Sequence, residues 1–334
     1  MIKIAHKIGV IGGGSWATAI IKLLQHHQKN ANWFIRRQEV IDSILNNGHN
    51  PEYLSQVELN IGLLNMSNVL EDVINESDIV IFAIPAAFLH RQLEQLDKNI
   101  LQDKIVISAV KGIVPEYNFI ISKYFNQVFN VPLDNYGALA GPTHAEEVVM
   151  DRLSFLTVAS KNEDVSGIMA DVLGKRNMRI SQSQDVEGIE YASVLKNVYA
   201  VAAGVSVGLG YGDNFLSVLT TNAIVEMRRF LDAVNHLKRD VIMTSYSGDI
   251  VVTCYSQFSR NRMFGTLIGK GYSVNYSRIE MKQVAEGYTA SKCMKEINDE
   301  FYKIDMPILN AVYNICHNNV SPSTEMRKLA EKLK

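Results

Sequence analysis

An apolar run ending at Ile11 breaks into three consecutive glycines and then into a helical pattern, IGVIGGGSWATAI over residues 8–20. Gly12, Gly14 and Ala17 fill a G-x-G-x-x-A pattern between a strand, His6–Ile11, and a helix carrying Ile20, Ile21, Leu23 and Leu24. The first glycine allows a tight turn, the second lets the backbone approach a pyrophosphate, and the third small residue lets helix and strand pack closely. Free N–H groups at the helix start would face the pyrophosphate. The turn predicts a dinucleotide-binding α/β domain with a Rossmann-type doubly wound parallel sheet.

The chain beyond the turn alternates in the same way. Strands are expected at Trp33–Ile35, Asp78–Ile84, Lys104–Ala109, Tyr136–Ala140 and Phe155–Ala159, with helices such as Phe88–Leu96 and Asn118–Phe129 between them. Uninterrupted apolar runs of this length suit strands buried on both faces. From about Gly188 the pattern turns helical, with apolar residues at helical spacing in Tyr191–Val207, Phe215–Leu231 and Met306–Cys316. A chain of 334 residues suits two cores. We therefore expect a dinucleotide-binding domain over 1–187 and an all-helical substrate-binding and catalytic domain over 188–334.

Composition narrows the partners. A formal net charge of −2 gives no polyanion signal, so no nucleic acid partner is expected. The most apolar internal run, Val198–Val207, is too short to cross a bilayer and reads as a buried core helix, so no membrane span is expected. The start of the chain reads as a first strand rather than a signal peptide. Cys254, Cys293 and Cys316 are odd in number, widely spaced and without a CxxC. They read as reduced, buried thiols, with no disulfide framework and no metal site.

The second strand bears on the choice of dinucleotide. A site strictly for NAD should end that strand in an acid, which binds the ribose hydroxyls. Here it ends Phe34-Ile35-Arg36-Arg37, with no acid until Glu39. Arg36 and Arg37 can accept a 2′-phosphate. NADPH is the expected cofactor, with NADH also admitted.

Four further stretches carry chemistry: SAVKG at 108–112, AGPTHAEEV at 140–148, LKNVYAVAAG at 195–204 and SGDIVVTCYSQFSRNRMFG at 247–265. Together with GGGSWATA they resemble the bacterial NAD(P)-dependent glycerol-3-phosphate dehydrogenase family. The resemblance runs from about Ile8 to Pro307, and five motifs in order are more specific than any one. It implies reduction of dihydroxyacetone phosphate to sn-glycerol 3-phosphate, reversibly, with NADPH and/or NADH, in support of glycerophospholipid synthesis. It also implies a cytoplasmic homodimer.

Carbonyl reduction needs a proton donor to the new alkoxide. A lysine can serve if a cationic neighbour or burial lowers its pKa, and Lys111 is a candidate neighbour for Lys196. On the same helix face Ala200, Ala203 and Gly204 are small and leave room for a bulky group such as a nicotinamide or a substrate. Ser259 is a candidate N-cap, and Arg260 at a helix start makes a strong phosphate site. The resemblance assigns Lys196 as the catalytic acid/base and places Lys111 beside substrate and cofactor. It puts the substrate phosphate at Ser259, Arg260 and Asn261, with Arg260 also touching the cofactor. It implies substrate contacts at Gly141, Thr143 and Asp249. It implies cofactor contacts at Gly12, Gly14, Ser15, Trp16, Ala145, Val284 and Glu286. His144 is read as a polar helix-start residue rather than a base.

The chain departs from the family at three places, one of them the 253–258 segment, which Tyr255 and Phe258 make more aromatic than usual. The commonest family form has glycine at Ala17, and the family often has an arginine where Thr221-Asn222-Ala223 stands. No arginine follows here until Arg228, so no phosphate role is carried over to that helix. Two other readings stand beside the main one. A dehydrogenase for another hydroxy acid or an acyl thioester would not need the S-R-N motif. A dinucleotide sensor would need no Lys196 and would carry a DNA-binding or effector segment.

Overall fold

In the computed structural model, residues 6–281 and 285–334 are described. They form two compact units. The first comprises the described residues up to Ile84 together with Phe88–Val110 and Ile121–Val186, and the second comprises Pro85–Ala87, Lys111–Ile120 and Glu187–Lys334.

The first unit begins β1 (Ile8–Ile11), α1 (Ser15–His26), β2 (Ala31–Phe34), α2 (Gln38–Asn47), β3 (Leu64–Ser67), α3 (Leu70–Asn75), β4 (Ile79–Phe82) and α4 (Ala86–Leu93), whose first two residues belong to the second unit. β5 (Ile105–Ser108) follows, then a small hairpin of β6 (Ile113–Val114) and β7 (Phe119–Ile120) that belongs to the second unit. The first unit closes with α5 (Ile121–Phe129), β8 (Tyr136–Ala140), α6 (Ala145–Val149), β9 (Ser154–Ala159), α7 (Glu163–Leu173) and β10 (Met178–Ser183).

One eight-stranded sheet organises this unit, in the order β10-β9-β8-β5-β4-β1-β2-β3. β1 and β4 are buried along their whole length, as their unbroken apolar sequences require. The chain steps from β1 outward through β2 to β3, then returns to lay β4 on the other side of β1. The dinucleotide turn therefore sits at the point where strand order reverses, where open α/β sheets bind ligands. The expected parallel sheet holds for every pair except β8–β9, which is antiparallel. The helix between those strands, α6, has five residues, too short for the crossover that parallel neighbours need. Two strands of this sheet escaped the sequence reading, as did the hairpin of β6 and β7. β3 is an edge strand with little burial, and β10 carries polar residues along its length. The helix expected from Asn118 starts only at Ile121, because residues 119–120 pair in the hairpin.

The second unit takes nearly all its structure from α8 (Val186–Gly208), α9 (Asp213–Val234), α10 (Asp249–Tyr255), α11 (Arg260–Gly269), α12 (Val274–Glu280), α13 (Glu286–Ile297), α14 (Pro307–His317) and α15 (Pro322–Ala330). From Ile189 to Ser206 nearly every residue of α8 is buried, so it is the core of this unit rather than an amphipathic surface helix. No helix among the described residues is long and apolar enough to cross a membrane. The three cysteines are free and buried, and burial pushes each thiol up to about 12.

Candidate active site

In the first unit, Gly12 sits at φ 130°, and a Cβ there would lie 2.5 Å from the Ala83 carbonyl oxygen. The turn is braced by Trp33 Nε1, which donates to the Gly12 carbonyl at 2.7 Å. Asn50, fully buried, donates to the Gly13 carbonyl at 3.0 Å and to Thr18 Oγ1 at 2.9 Å. Gly14 is the N-cap of α1, which has no side-chain cap and no acid in its first turn. A Cβ on Gly14 would meet nothing within 4 Å. An uncapped helix start facing open space fits a dinucleotide pyrophosphate, with Ser15 and Trp16 supplying the first helical residues.

Arg36, two residues past the end of β2, is exposed and makes no hydrogen bond or ion pair among the described residues. Arg37 is the N-cap of α2, donates to Glu52 and lies 3.7 Å from Glu39. The hydrogen bond to Glu52, together with the charges of both acids, raises its already high pKa. Beyond β8, Gly141 sits at φ 121°, and its carbonyl accepts from the Thr143 backbone N–H at 2.8 Å and hydroxyl at 3.0 Å. Ala145 is buried at the start of α6, which packs on α1.

In the second unit, Lys196 on α8 donates to the carboxylate of Asp249, the first residue of α10. Both are buried. Lys111 belongs to the same cluster. Burial, then the charge of Lys196, pulls its ammonium down to about 7 against the opposing pull of Asp249. Asn197 ties the surroundings together. Its Nδ2 donates to the Lys111 carbonyl at 2.9 Å, and its Oδ1 accepts from Asn261 Nδ2 at 2.9 Å. Asn261 Oδ1 in turn accepts from the Gly287 N–H at 2.8 Å. Sequence reading passed over Asn197, whose one signal was its place beside Lys196.

Ser259 caps α11 as expected, its Oγ accepting from the Arg262 N–H at 3.3 Å. Arg260 opens that helix. Glu286 opens α13, where burial raises its carboxyl to about 7 against the lowering effects of the Ala86 N–H, 3.0 Å away, and of the Arg260 charge. Val284 lies outside the described residues.

The small residues of α8 have a different role from the one expected. A Cβ on Gly204 would lie 2.0 Å from the Arg262 carbonyl oxygen, and one on Gly265 would lie 2.1 Å from that of Val201. Gly204 makes room for the backbone of α11, and Ala200 and Ala203 are fully buried. This contact brings the helix that starts with Arg260 and Asn261 against the helix of Lys196. It leaves no room there for a nicotinamide. The Thr221-Asn222 departure is likewise local. Thr221 donates to the Ser217 carbonyl, and Asn222 donates to the carbonyls of Val218 and Lys334.

Among the described residues no group of His, Cys, Asp and Glu could hold a metal. A mostly parallel sheet with an open glycine turn, joined in one chain to a helical unit with a buried lysine, a second lysine beside it and a capped arginine helix, defines a Rossmann-type nicotinamide-dependent oxidoreductase. The chain belongs to the NAD-dependent glycerol-3-phosphate dehydrogenase family, whose N-terminal region matches residues 7–166 and whose C-terminal region matches residues 185–327. It is 32% identical to glycerol-3-phosphate dehydrogenase (NAD(P)+) of Clostridium botulinum over 97% of this chain and 96% of that one. It is 32% identical to the enzyme of the same name from Halothermothrix orenii over 97% and 94%. The fold matches a crystal structure of glycerol-3-phosphate dehydrogenase from Coxiella burnetii with a TM-score of 0.89 at 23% identity, over 98% of this chain and 99% of that one.

Proposed function

We propose that this chain reduces dihydroxyacetone phosphate to sn-glycerol 3-phosphate, reversibly, with NADPH or NADH, and so supplies the backbone of glycerophospholipids. The buried Lys196–Asp249 pair with Lys111 beside it carries this reading, within a family whose curated relatives are named for NAD(P)+ and glycerol 3-phosphate. Residues 1–187 serve the dinucleotide and 188–334 the substrate, together with Lys111.

Gly12, Gly14, Ser15, Trp16, Arg36, Arg37 and Ala145 hold the dinucleotide, which supplies a hydride when bound. Lys196 gives its proton to the oxygen that becomes the product hydroxyl, and the hydrogen bond to Asp249 holds its side chain aimed. Lys111 adds a second positive charge where the oxygen becomes negative. Ser259, Arg260 and Asn261 grip the phosphate at the start of α11, which fixes the ketone in place. The family resemblance further implies substrate contacts at Gly141 and Thr143 and cofactor contacts at Glu286 and Val284. A homodimer in the cytoplasm follows from the same family reading.

The test is loss of nicotinamide absorbance with dihydroxyacetone phosphate, in the unmodified chain, Lys196→Ala and Arg260→Ala. Turnover in the first, a lost rate in the second and a raised KM in the third support the proposal. Binding of NADPH without any oxidation by this substrate sinks it.

A further inference from the structure

We propose that Glu52 sets the balance between NADPH and NADH in this chain, acting as the ribose-reading acid that the second strand lacks. The inference rests on the dinucleotide reading of the glycine turn.

In sheets of this type the group just past the second strand meets the adenosine ribose. A carboxylate there accepts from the ribose hydroxyls, and a cation there accommodates a 2′-phosphate. This strand ends at Phe34 and is followed, one residue on, by Arg36 and Arg37. The acid arrives from elsewhere in the chain. Asn50 is fully buried and grips the glycine turn through the Gly13 carbonyl and Thr18 Oγ1. Its Oδ1 also accepts from the backbone N–H of Glu52 at 3.1 Å and of Tyr53 at 3.2 Å. One buried amide thus fixes the 50–53 segment to the dinucleotide turn and delivers the Glu52 carboxylate to Arg37.

The two arginines then differ. Arg36 is exposed and without a partner among the described residues, so it is free for a 2′-phosphate. Arg37 is held by Glu52, and a 2′-phosphate must compete for it. The Glu52 carboxylate repels that phosphate and offers an acceptor to a 2′-hydroxyl. Both side chains of the pair remain about two-fifths exposed, at 43% and 40%, so they can rearrange around either ribose. Glu39 also lies near Arg37, at 3.7 Å, but is 71% exposed and belongs to the first turn of α2, with no tie to the glycine turn.

The experiment titrates the full chain with NADPH and with NADH, following nicotinamide fluorescence, in the unmodified protein, Glu52→Gln and Glu39→Gln. Glu52→Gln is expected to tighten NADPH and weaken NADH, moving the ratio of the two Kd values roughly tenfold, the low end for a charge-assisted hydrogen bond at a partly exposed site. Glu39→Gln is expected to move that ratio less than about twofold, as a screened surface charge does. An unchanged ratio in Glu52→Gln overturns the role of Glu52, and so does an equal shift in Glu39→Gln. If the unmodified chain binds neither nucleotide, the dinucleotide reading of the turn itself falls. Turnover of the proposed substrate enters none of these measurements.

Discussion

Lys196 donates to Asp249 where their side chains are only 6% and 2% exposed. Two charges taken this far out of water hold each other, and removing either strands its partner. Asp249→Ala should therefore destabilise the fold by about 3–5 kcal/mol, the usual result of leaving one buried charge unpaired. Lys196→Ala should lower kcat by about 10²–10⁴-fold, as expected for loss of a general acid, while nicotinamide binding persists. Steady-state rates beside a fluorescence titration separate the two effects. A Lys196→Ala enzyme with full kcat would remove the lysine from the chemistry.

Lys111 should give the reaction a pH limb. Its ammonium is pulled down to about 7 by burial and by the Lys196 charge. It carries its positive charge below that pH and loses it above. The free-enzyme profile, kcat/KM for dihydroxyacetone phosphate, should fall as pH rises through about 7. Glu286 titrates in the same range, so the assignment needs a variant. Arginine stays protonated throughout, and Lys111→Arg should erase the limb even at a lower overall rate. A limb of unchanged midpoint in Lys111→Arg would assign it to another group.

The two glycines of the dinucleotide turn should fail in different ways when changed to alanine. At Gly12, φ is 130° and the new Cβ would lie 2.5 Å from the Ala83 carbonyl oxygen, so Gly12→Ala strains backbone against backbone. It should lower stability by about 1–3 kcal/mol, as overpacking does. Gly14 has φ −83° and open space around its missing side chain. Gly14→Ala should fold with an unchanged Tm and bind NADPH at least tenfold more weakly, because the methyl group occupies the approach to the pyrophosphate. Thermal melts and nucleotide titrations of the pair decide this, and tight NADPH binding by Gly14→Ala would count against the turn as the cofactor site.

The sequence made the sheet readable where strands are buried on both faces, because β1, β4, β5 and β8 are then nearly unbroken apolar runs, with Ser108 and the Tyr136 hydroxyl the polar side-chain groups in them. It hid β3 and β10, since edge strands mix polar and apolar residues and lose the pattern. Ser259 was legible as a cap from its type and its place before a helical run, whereas Lys196 and Asp249 were picked out through the family resemblance. Asn197 was not, because its role comes from partners at residues 111 and 261. Asn50 was hidden for the same reason, as was Glu52. The small residues of α8 were seen but misread. Sequence spacing shows that a helix face is bare, not whether a ligand or a second helix fills it.

Glu226 offers a test of how a buried acid holds the helical unit together. It lies on α9, 1% exposed, and accepts from the Ile308 and Leu309 N–H groups at 2.7 and 3.0 Å, so it caps α14 from a distance. Burial raises its carboxyl to about 8, even though both N–H bonds pull the other way. Folding therefore raises this pKa above its ordinary 4.5. Between those values the folded chain binds more protons than the unfolded one, so stability falls as pH rises through this window. The contribution is full below about 4.5 and lost above about 8. Other groups titrate as well, so the observable is the difference from Glu226→Gln, which keeps an acceptor and does not titrate. Relative to that variant, the unmodified chain should lose on the order of 3–5 kcal/mol between pH 5 and 8, read as a converging or crossing pair of Tm curves. Parallel curves would mean that Glu226 keeps one charge state in the folded and unfolded chain across that range, and that α14 is capped by a carboxylate held charged in the core.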